Sequence, residues 1–360
     1  MSKNLFYNIT FFYIMAIFYL ASTTPISPHE AKLLYASDGI VPLLMGWGDT
    51  LDIGFLGLRI FFLFFGFLSI FLFYRLSQVY FSKPSDVYLS AVIFMFLPAT
   101  LTATVLANVG IIALALVLMF VLLYEKKSYL SLMLVMTGLF LAHDASIIFF
   151  VAVLLYGLDQ RDKILVGASS SFILGFIYLT KGIEVGGIPS GHFVEVFGLY
   201  ATVFSPLLFL YFFYAMYRIL LRGEKTLLWY ISFTALTFSL LLSIRQRIHI
   251  TDFAPYVMIA TVLMLELFHQ TMRVRLPVFQ KYYKRGFYAI LSFLVLTFFI
   301  TLGHQLFFYF ENPKFHFAKR IYNPYLLAQE LKSKGVSCYD SQTLREGYLL
   351  RYYGIEPCTL

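Results

Sequence analysis

Long hydrophobic runs separated by short polar segments extend over most of this chain. A bilayer-spanning helix needs about 20 apolar residues. Runs near that length occupy residues 4–22, 54–74, 86–107, 164–180, 199–221, 226–244, 252–270 and 287–310, and a shorter run covers 110–124. The pattern predicts an all-α polytopic membrane protein.

The run at residues 130–158 has 29 residues and places His143-Asp144 at its centre. It forms either one overlong helix or two short helices that meet at the polar pair. Two helices place fifteen Lys and Arg residues inside and five outside before the tail, whereas one helix moves ten of the fifteen outside. Cytoplasmic loops carry the excess of basic residues. The charges therefore predict two helices, about eleven spans, a cytoplasmic N-terminus and an extracytoplasmic C-terminus.

This topology places three polar segments on the outer face, together with the tail: residues 23–53, 181–198 and 245–252. We expect a transmembrane domain over residues 1–310 and a small α/β-like extracytoplasmic domain over residues 311–360. In that domain, helix and turn signals predict a helix from Asn323-Pro324 to Gly335, a short strand, and a second helix capped by Ser341.

Both cysteines of the chain, Cys338 and Cys358, lie in this tail. An exported compartment permits a disulfide, which would stabilise the tail by about 3 kcal/mol through loop entropy. Two unpaired thiols are the alternative.

The composition supports a membrane protein and argues against a nucleic-acid partner. Hydrophobic residues make up 60% of the chain and charged residues 13%, whereas soluble domains are about 25% charged. The net charge of +8 comes from basic residues between the hydrophobic runs. Orientation in the bilayer explains their position.

The first outer segment carries a carboxylate, Glu30, directly after the first span. Arg59 lies five residues into the next apolar run, where it must snorkel outward or pair with a carboxylate. Glu30 is a candidate partner.

A basic cluster in the third outer segment opposes the general charge rule. It contains Arg245, Arg247 and His249, and its arginines suit a phosphate group or anionic lipid head groups. His143-Asp144 is a candidate metal-ligand pair or proton relay, or alternatively Asp144 caps the following helix. No Walker loop, His-Glu-x-x-His or Gly-x-Ser-x-Gly motif is present.

Taken in order, these motifs resemble the GT-C superfamily of integral membrane glycosyltransferases, in the branch of protein O-mannosyltransferases and lipid A aminoarabinose transferases. That branch carries Asp-Glu-Ala-x-Tyr or a near variant after its first helix, and an Arg at the start of the next. Here the matching residues are His29-Glu30-Ala31-Lys32-Leu33-Leu34-Tyr35 and Arg59. The segment from Gly138 to Asp144 has the shape of a further family pattern, with His143 and Asp144 where a basic residue is expected, and the segment from Ser243 to Pro255 fits another.

The resemblance implies transfer of a sugar from a polyprenyl-phosphate donor to a lipid, glycan or protein acceptor, with inversion. It implies a multi-pass protein of a bacterial inner (plasma) membrane whose active site faces the extracytoplasmic side. Glu30 would be the acid–base residue, Arg59 would orient it or touch phosphate, and Arg245, Arg247 and His249 would hold the phosphate. No cofactor is certain, and a divalent metal is left open.

The sequence departs from the family at His29, where the first acidic residue of the pair is expected. A histidine is a suitable general base near neutral pH, so His29 joins Glu30 as a catalytic candidate. Alternatively Glu30, Asp144 or Asp52 takes the role, or activity is lost. A transporter or flippase for a lipid-linked saccharide, or a non-catalytic accessory protein of envelope assembly, are the competing functions.

Overall fold

The computed structural model describes residues 1–179, 186, 191–305, 318–341 and 343–358. Within these residues the protein is helical, and the helices in chain order are α1 Lys3–Thr23, α2 Pro28–Ala36, α3 Ile40–Asp49, α4 Phe55–Tyr80, α5 Pro84–Phe96, α6 Pro98–Val105, α7 Val109–Glu125, α8 Tyr129–Ala142, α9 Ile147–Gln160, α10 Lys163–Tyr178, α11 Phe193–Phe204, α12 Pro206–Arg222, α13 Leu227–Arg245, α14 Ile250–Met258, α15 Thr261–Val274, α16 Pro277–Leu302, α17 Lys319–Ser333 and α18 Leu344–Tyr352. The predicted all-α polytopic class is confirmed.

Four described helices are each long and apolar enough to cross a membrane: α1, α4, α13 and α16. Three bent pairs raise the number to seven if each pair is one span: α5 with α6, α11 with α12, and α14 with α15. Shorter apolar helices are α7, α8 and α10. The count of eleven spans and their orientation stay predictions.

Proline explains two of the bends. The chain turns by 61° before Pro98 and by 106° before Pro206. The ring of a proline disfavours helical geometry in the preceding residue, so each helix ends there and Pro begins the next. Side-chain caps mark other starts: Asp162 accepts N–H groups at the start of α10, and Thr226 does so for α13.

The long run at residues 130–158 is broken at the polar pair, as the charge distribution predicted. Helix α8 ends at Ala142, a 3-10 helix covers Asp144–Ser146, and α9 begins at Ile147. The capping alternative for Asp144 is wrong, because Ser146 occupies the N-cap position of α9.

The described residues form two compact units. Unit 1 comprises residues 1–11, 65–102 and 109–298, and unit 2 comprises residues 12–64, 103–108 and 299–360. In unit 1, α9 packs between α10 and α13, and α14 packs against α7 and α13. Its core is aromatic: Phe120, Phe149 and Phe150 are fully buried.

In unit 2, the tail packs against the polar segment of residues 23–53, since α18 contacts α2 as well as α17. Ala328, Leu350 and Ile355 form its small core. The predicted boundary at residue 310 lies outside the described residues.

The tail differs in detail from the predicted domain. Its first helix begins at Lys319 rather than at Asn323, with Pro324 inside it, and Thr343 rather than Ser341 caps the second. Instead of a strand, the described tail has one isolated parallel bridge between Cys338 and Glu356. One bridge adds too few hydrogen bonds for a regular strand, so the α/β-like tail is helical.

A disulfide joins Cys338 to Cys358 across a sequence separation of 20 residues. The disulfide closes a loop that contains α18, in a tail whose hydrophobic core is small. A loop of this length gives a stabilisation of about 3 kcal/mol in the chain-entropy account.

Candidate functional site

Local sequence sets the position of Glu30 at the start of α2. Ser27 is the N-cap residue, and Pro28 occupies the first helical turn. The Ser27 hydroxyl accepts a hydrogen bond from the Glu30 N–H at 3.2 Å, and Glu30 Oε2 accepts one from the Ser27 N–H at 2.8 Å. This reciprocal capping box turns the carboxylate back toward the loop.

Arg59 binds the Glu30 carboxylate in a two-point ion pair. Arg59 Nε donates to Oε1 and Nη2 donates to Oε2, each at 2.9 Å. The Ala107 N–H also donates to Oε1, at 2.8 Å. Oε2 also accepts the hydrogen bond from the Ser27 N–H. Each carboxylate oxygen therefore accepts two hydrogen bonds.

The remaining donors of Arg59 bind backbone carbonyls. Nη1 donates to Ala21 O at 3.0 Å and to Thr24 O at 2.7 Å, and Nη2 donates to Pro25 O at 3.0 Å. A guanidinium has five N–H groups, and all five are used. Glu30, the candidate partner, is the carboxylate that Arg59 binds. Arg59 has no N–H group left for a phosphate, the alternative contact that the resemblance implied.

This Glu30–Arg59 ion pair is fully buried, since both residues are 0% exposed. Burial acts to raise the pKa of the Glu30 carboxyl, but the charge and hydrogen bonds of Arg59 and the N–H groups of Ala107 and Ser27 outweigh it and lower the pKa. The result is an ionised carboxylate without a free lone pair. Such a group is a poor proton acceptor, so the geometry favours a structural role over the predicted catalytic one.

His29 lies beside Glu30 in the first turn of α2 but on its exposed side. The hydrogen bonds and the ion pair that fix Glu30 also fix this turn of α2. His29 is therefore an exposed side chain on a backbone turn that the hydrogen bonds of Glu30 hold, and exposure suits a general base better than the enclosure of Glu30 does.

The sequence reading did not single out Asp49, the last residue of α3. Burial, and after it the charge of the nearby Asp49 carboxylate, raises the pKa of the Tyr352 hydroxyl to about 12. Asp52, an alternative base by sequence, is exposed in the turn before α4 with φ of 51°. Both carboxylates are accessible, unlike Glu30.

Aromatic residues of the tail lie beside this part of unit 2. The Phe55 ring is 6.2 Å from the rings of Tyr325 and Tyr352, and the Arg351 guanidinium lies 4.8 Å from the centre of the Tyr35 ring. Sequence reasoning missed this cluster because its members are far apart in the chain.

The predicted basic cluster lies in unit 1, where Arg245, Arg247 and His249 are exposed. Arg247 Nε is 3.6 Å from Glu195 Oε2, an oxygen that also lies 2.9 Å from His192 Nδ1. Part of the charge of Arg247 is therefore offset at the surface.

His143 is buried and pairs with residues of α14 rather than forming a site with Asp144. Its Nδ1 lies 2.9 Å from the Tyr256 hydroxyl, and its Nε2 lies 3.6 Å from Asp252 Oδ1, whereas Asp144 is exposed. Among the described residues, no group of three or more His, Cys, Asp or Glu side chains is placed to hold a metal ion. The metal-ligand reading of His143 and Asp144 therefore finds no third ligand in that part of the chain.

No family model and no curated protein sequence matches the chain. Among solved structures, the chain is similar to ArnT from Cupriavidus metallidurans, crystallised in the apo state, with a TM-score of 0.58. The likeness covers 98% of this chain and 84% of that one, at 13% sequence identity. It shows that this multi-pass membrane protein has an ArnT-like polytopic fold.

Proposed function

We propose that this protein is a membrane glycosyltransferase of the GT-C type, which transfers a sugar from a polyprenyl-phosphate donor to a lipid, glycan or protein acceptor on the outer face of a bacterial inner membrane. The observation that carries the proposal is the likeness to ArnT over 98% of the chain. ArnT is a GT-C lipid A aminoarabinose transferase.

In this proposal, His29 removes the proton from the acceptor hydroxyl as it attacks the sugar carbon. The proton moves to the imidazole, the bond from the sugar to the phosphate oxygen breaks, and the configuration at the sugar carbon inverts. The Glu30–Arg59 ion pair does not touch the reacting atoms. It fixes the turn of α2 that carries His29. A leaving phosphate gains charge, and positive side chains stabilise that charge.

The test of this function is mass spectrometry of envelope glycans and glycolipids. We expect cells that lack the protein to lose one sugar modification and to accumulate the polyprenyl-phosphate-linked sugar. Restoring the full chain should restore the modification. Identical glycan and glycolipid profiles in both strains would refute a transferase function.

The basic cluster gives a prediction for donor binding. Replacing Arg245 and Arg247 together by Ala should weaken the binding of a polyprenyl-phosphate by about tenfold or more, because hydrogen bonds from charged groups contribute about 1.5–3 kcal/mol each. Binding is measured by titrating the lipid into protein in detergent.

The matched control is Lys126→Ala with Lys127→Ala, which removes two exposed charges from the side predicted to be cytoplasmic. Donor affinity should stay unchanged in that control. Equal losses in both double variants would mean that only net charge matters, and no loss in the arginine variant would exclude the clamp.

A second candidate is a non-catalytic accessory protein of envelope assembly. The environment of Glu30 favours this function. Its carboxylate accepts four hydrogen bonds and has no lone pair left to take a proton from the hydroxyl group of a substrate. Variants of His29 distinguish the two candidates.

A further inference from the structure

A polar cavity of about 510 Å³ lies in unit 1, outside the site described above. Its walls are the segment that joins α4 to α5, the last turns of α15 and the first turns of α16. The charge distribution of the sequence predicts that these helix ends face the cytoplasm.

Three cations line this cavity: Lys83, Arg273 and Lys284. In the described part of the chain, none of these side chains forms a hydrogen bond or an ion pair with another side chain. Their positive charge is therefore available to a ligand.

Two carboxylates also line the cavity. Asp86 Oδ2 is 3.6 Å from His269 Nε2, and Glu266 Oε1 accepts a hydrogen bond from Gln270 Nε2 at 3.2 Å. The three cations outnumber the two carboxylates, so the cavity has a net positive charge and attracts an anion.

The rim of the cavity is a fixed turn. Gln280 Nε2 donates to Met272 O at 3.2 Å and to Arg275 O at 2.9 Å, which ties the start of α16 to the end of α15. The Arg275 guanidinium also stacks over the Tyr283 ring at 4.1 Å. These contacts hold the turn beside Arg273 and Lys284.

Exposed apolar side chains surround the same turn. Val274 is 86% exposed, Leu276 67% and Val278 72%. Apolar side chains next to free cations, at the end of a membrane helix, are typical of the lipid head-group region. A ligand that reaches the cavity from there has both a phosphate and acyl chains.

We propose that this cavity binds the phosphate group of an anionic membrane phospholipid. Lys83, Arg273 and Lys284 bind the phosphate oxygens, and the apolar rim contacts the lipid body. This site is independent of sugar transfer.

The test measures lipid binding by the full chain in nanodiscs of phosphatidylcholine with increasing phosphatidylglycerol, using native mass spectrometry. The wild-type protein should retain phosphatidylglycerol over phosphatidylcholine. Lys83→Ala with Lys284→Ala should weaken that retention by about tenfold or more, since it removes two charged contacts. Absence of any preference in the wild-type protein would overturn the proposal.

The matched control is Lys281→Ala with Arg285→Ala, which removes two exposed charges from the same helix but not from the cavity lining. Retention should change by less than about twofold. Equal losses in both variants would identify general attraction to a basic surface and reject the cavity. Inorganic phosphate should compete only weakly; competition at equal affinity would make free phosphate the ligand and overturn the lipid assignment.

Thermal unfolding of each variant shows whether it is folded. If the cavity variant unfolds, the charge-conserving Lys83→Arg with Lys284→Arg should keep the phosphatidylglycerol preference. Loss of the preference in a folded Arg variant would contradict a site that depends on charge.

Discussion

Glu30→Gln is expected to destabilise the folded protein by about 3–5 kcal/mol, because it removes one partner of a buried ion pair and leaves the Arg59 charge uncompensated. The carboxylate accepts four hydrogen bonds, two from Arg59 and one each from the N–H groups of Ser27 and Ala107. A Gln amide nitrogen accepts none. One guanidinium donor and one backbone donor would therefore lose their acceptor inside the protein.

The measurement is the free energy of unfolding of the purified protein in detergent micelles. Arg59→Met should destabilise it comparably, since Ala21, Thr24 and Pro25 also lose a donor. The double variant Glu30→Gln with Arg59→Met should lose less than the sum of the two single losses, because groups in contact are not additive. His29→Gln is the matched control on the neighbouring exposed residue, with unchanged stability.

The result that would restore the catalytic assignment is specific. It is a Glu30→Gln protein that unfolds like the wild type and yet loses sugar transfer. Loss of both stability and transfer would instead mean that the variant unfolds because the buried Glu30–Arg59 ion pair is broken.

The same carboxylate sets a direction for pH dependence. The folded-state pKa of Glu30 is lowered, so its contribution to stability is present above the ordinary carboxyl pKa of about 4.3 and is lost as the pH falls through the lower folded value. The wild-type protein should therefore lose stability in acid more steeply than Glu30→Gln, which cannot titrate there. Parallel curves would contradict the ion pair.

His29→Ala is expected to reduce sugar transfer by about 10²–10⁴-fold, the contribution typical of a positioned general base. Its stability should change by less than about 0.5 kcal/mol, as for other surface substitutions. The physical reason is that Glu30 is buried in the first turn of α2, whereas His29 is exposed there, so replacing His29 removes no buried contact of Glu30. Transfer is measured by glycolipid mass spectrometry after the variant is returned to cells that lack the protein.

Lys32→Ala is the control for this variant, since Lys32 is another exposed side chain of α2. It should leave both transfer and stability unchanged. Full transfer by His29→Ala would exclude His29 as the base and direct attention to Asp49 and Asp52. If cells that lack the protein show no glycan change either, the accessory function is favoured.

The features that the sequence predicted correctly depend on neighbours along the chain. Apolar runs of membrane length specify helices because backbone groups in lipid must bond within their own segment. The break at His143 was indicated by charges that flank the run, and Gly335 ends α17 with φ of 70°, a conformation that glycine adopts without strain. The cost of an arginine in an apolar run left two possibilities, snorkelling or pairing with a carboxylate, and made Glu30 a candidate partner.

What only the tertiary structure decided is how completely these groups are bound. The fourth donor to Glu30 comes from Ala107, 77 residues away, and His143 meets Tyr256 across 113 residues. A hydropathy or motif pattern cannot state which distant N–H groups converge on one carboxylate, because that depends on the packing of separate helices. The sequence by itself determined an all-helical membrane protein with a charged pair after its first span. The three-dimensional packing decided that the carboxylate of this pair accepts four hydrogen bonds in the protein interior and that the neighbouring His29 is exposed.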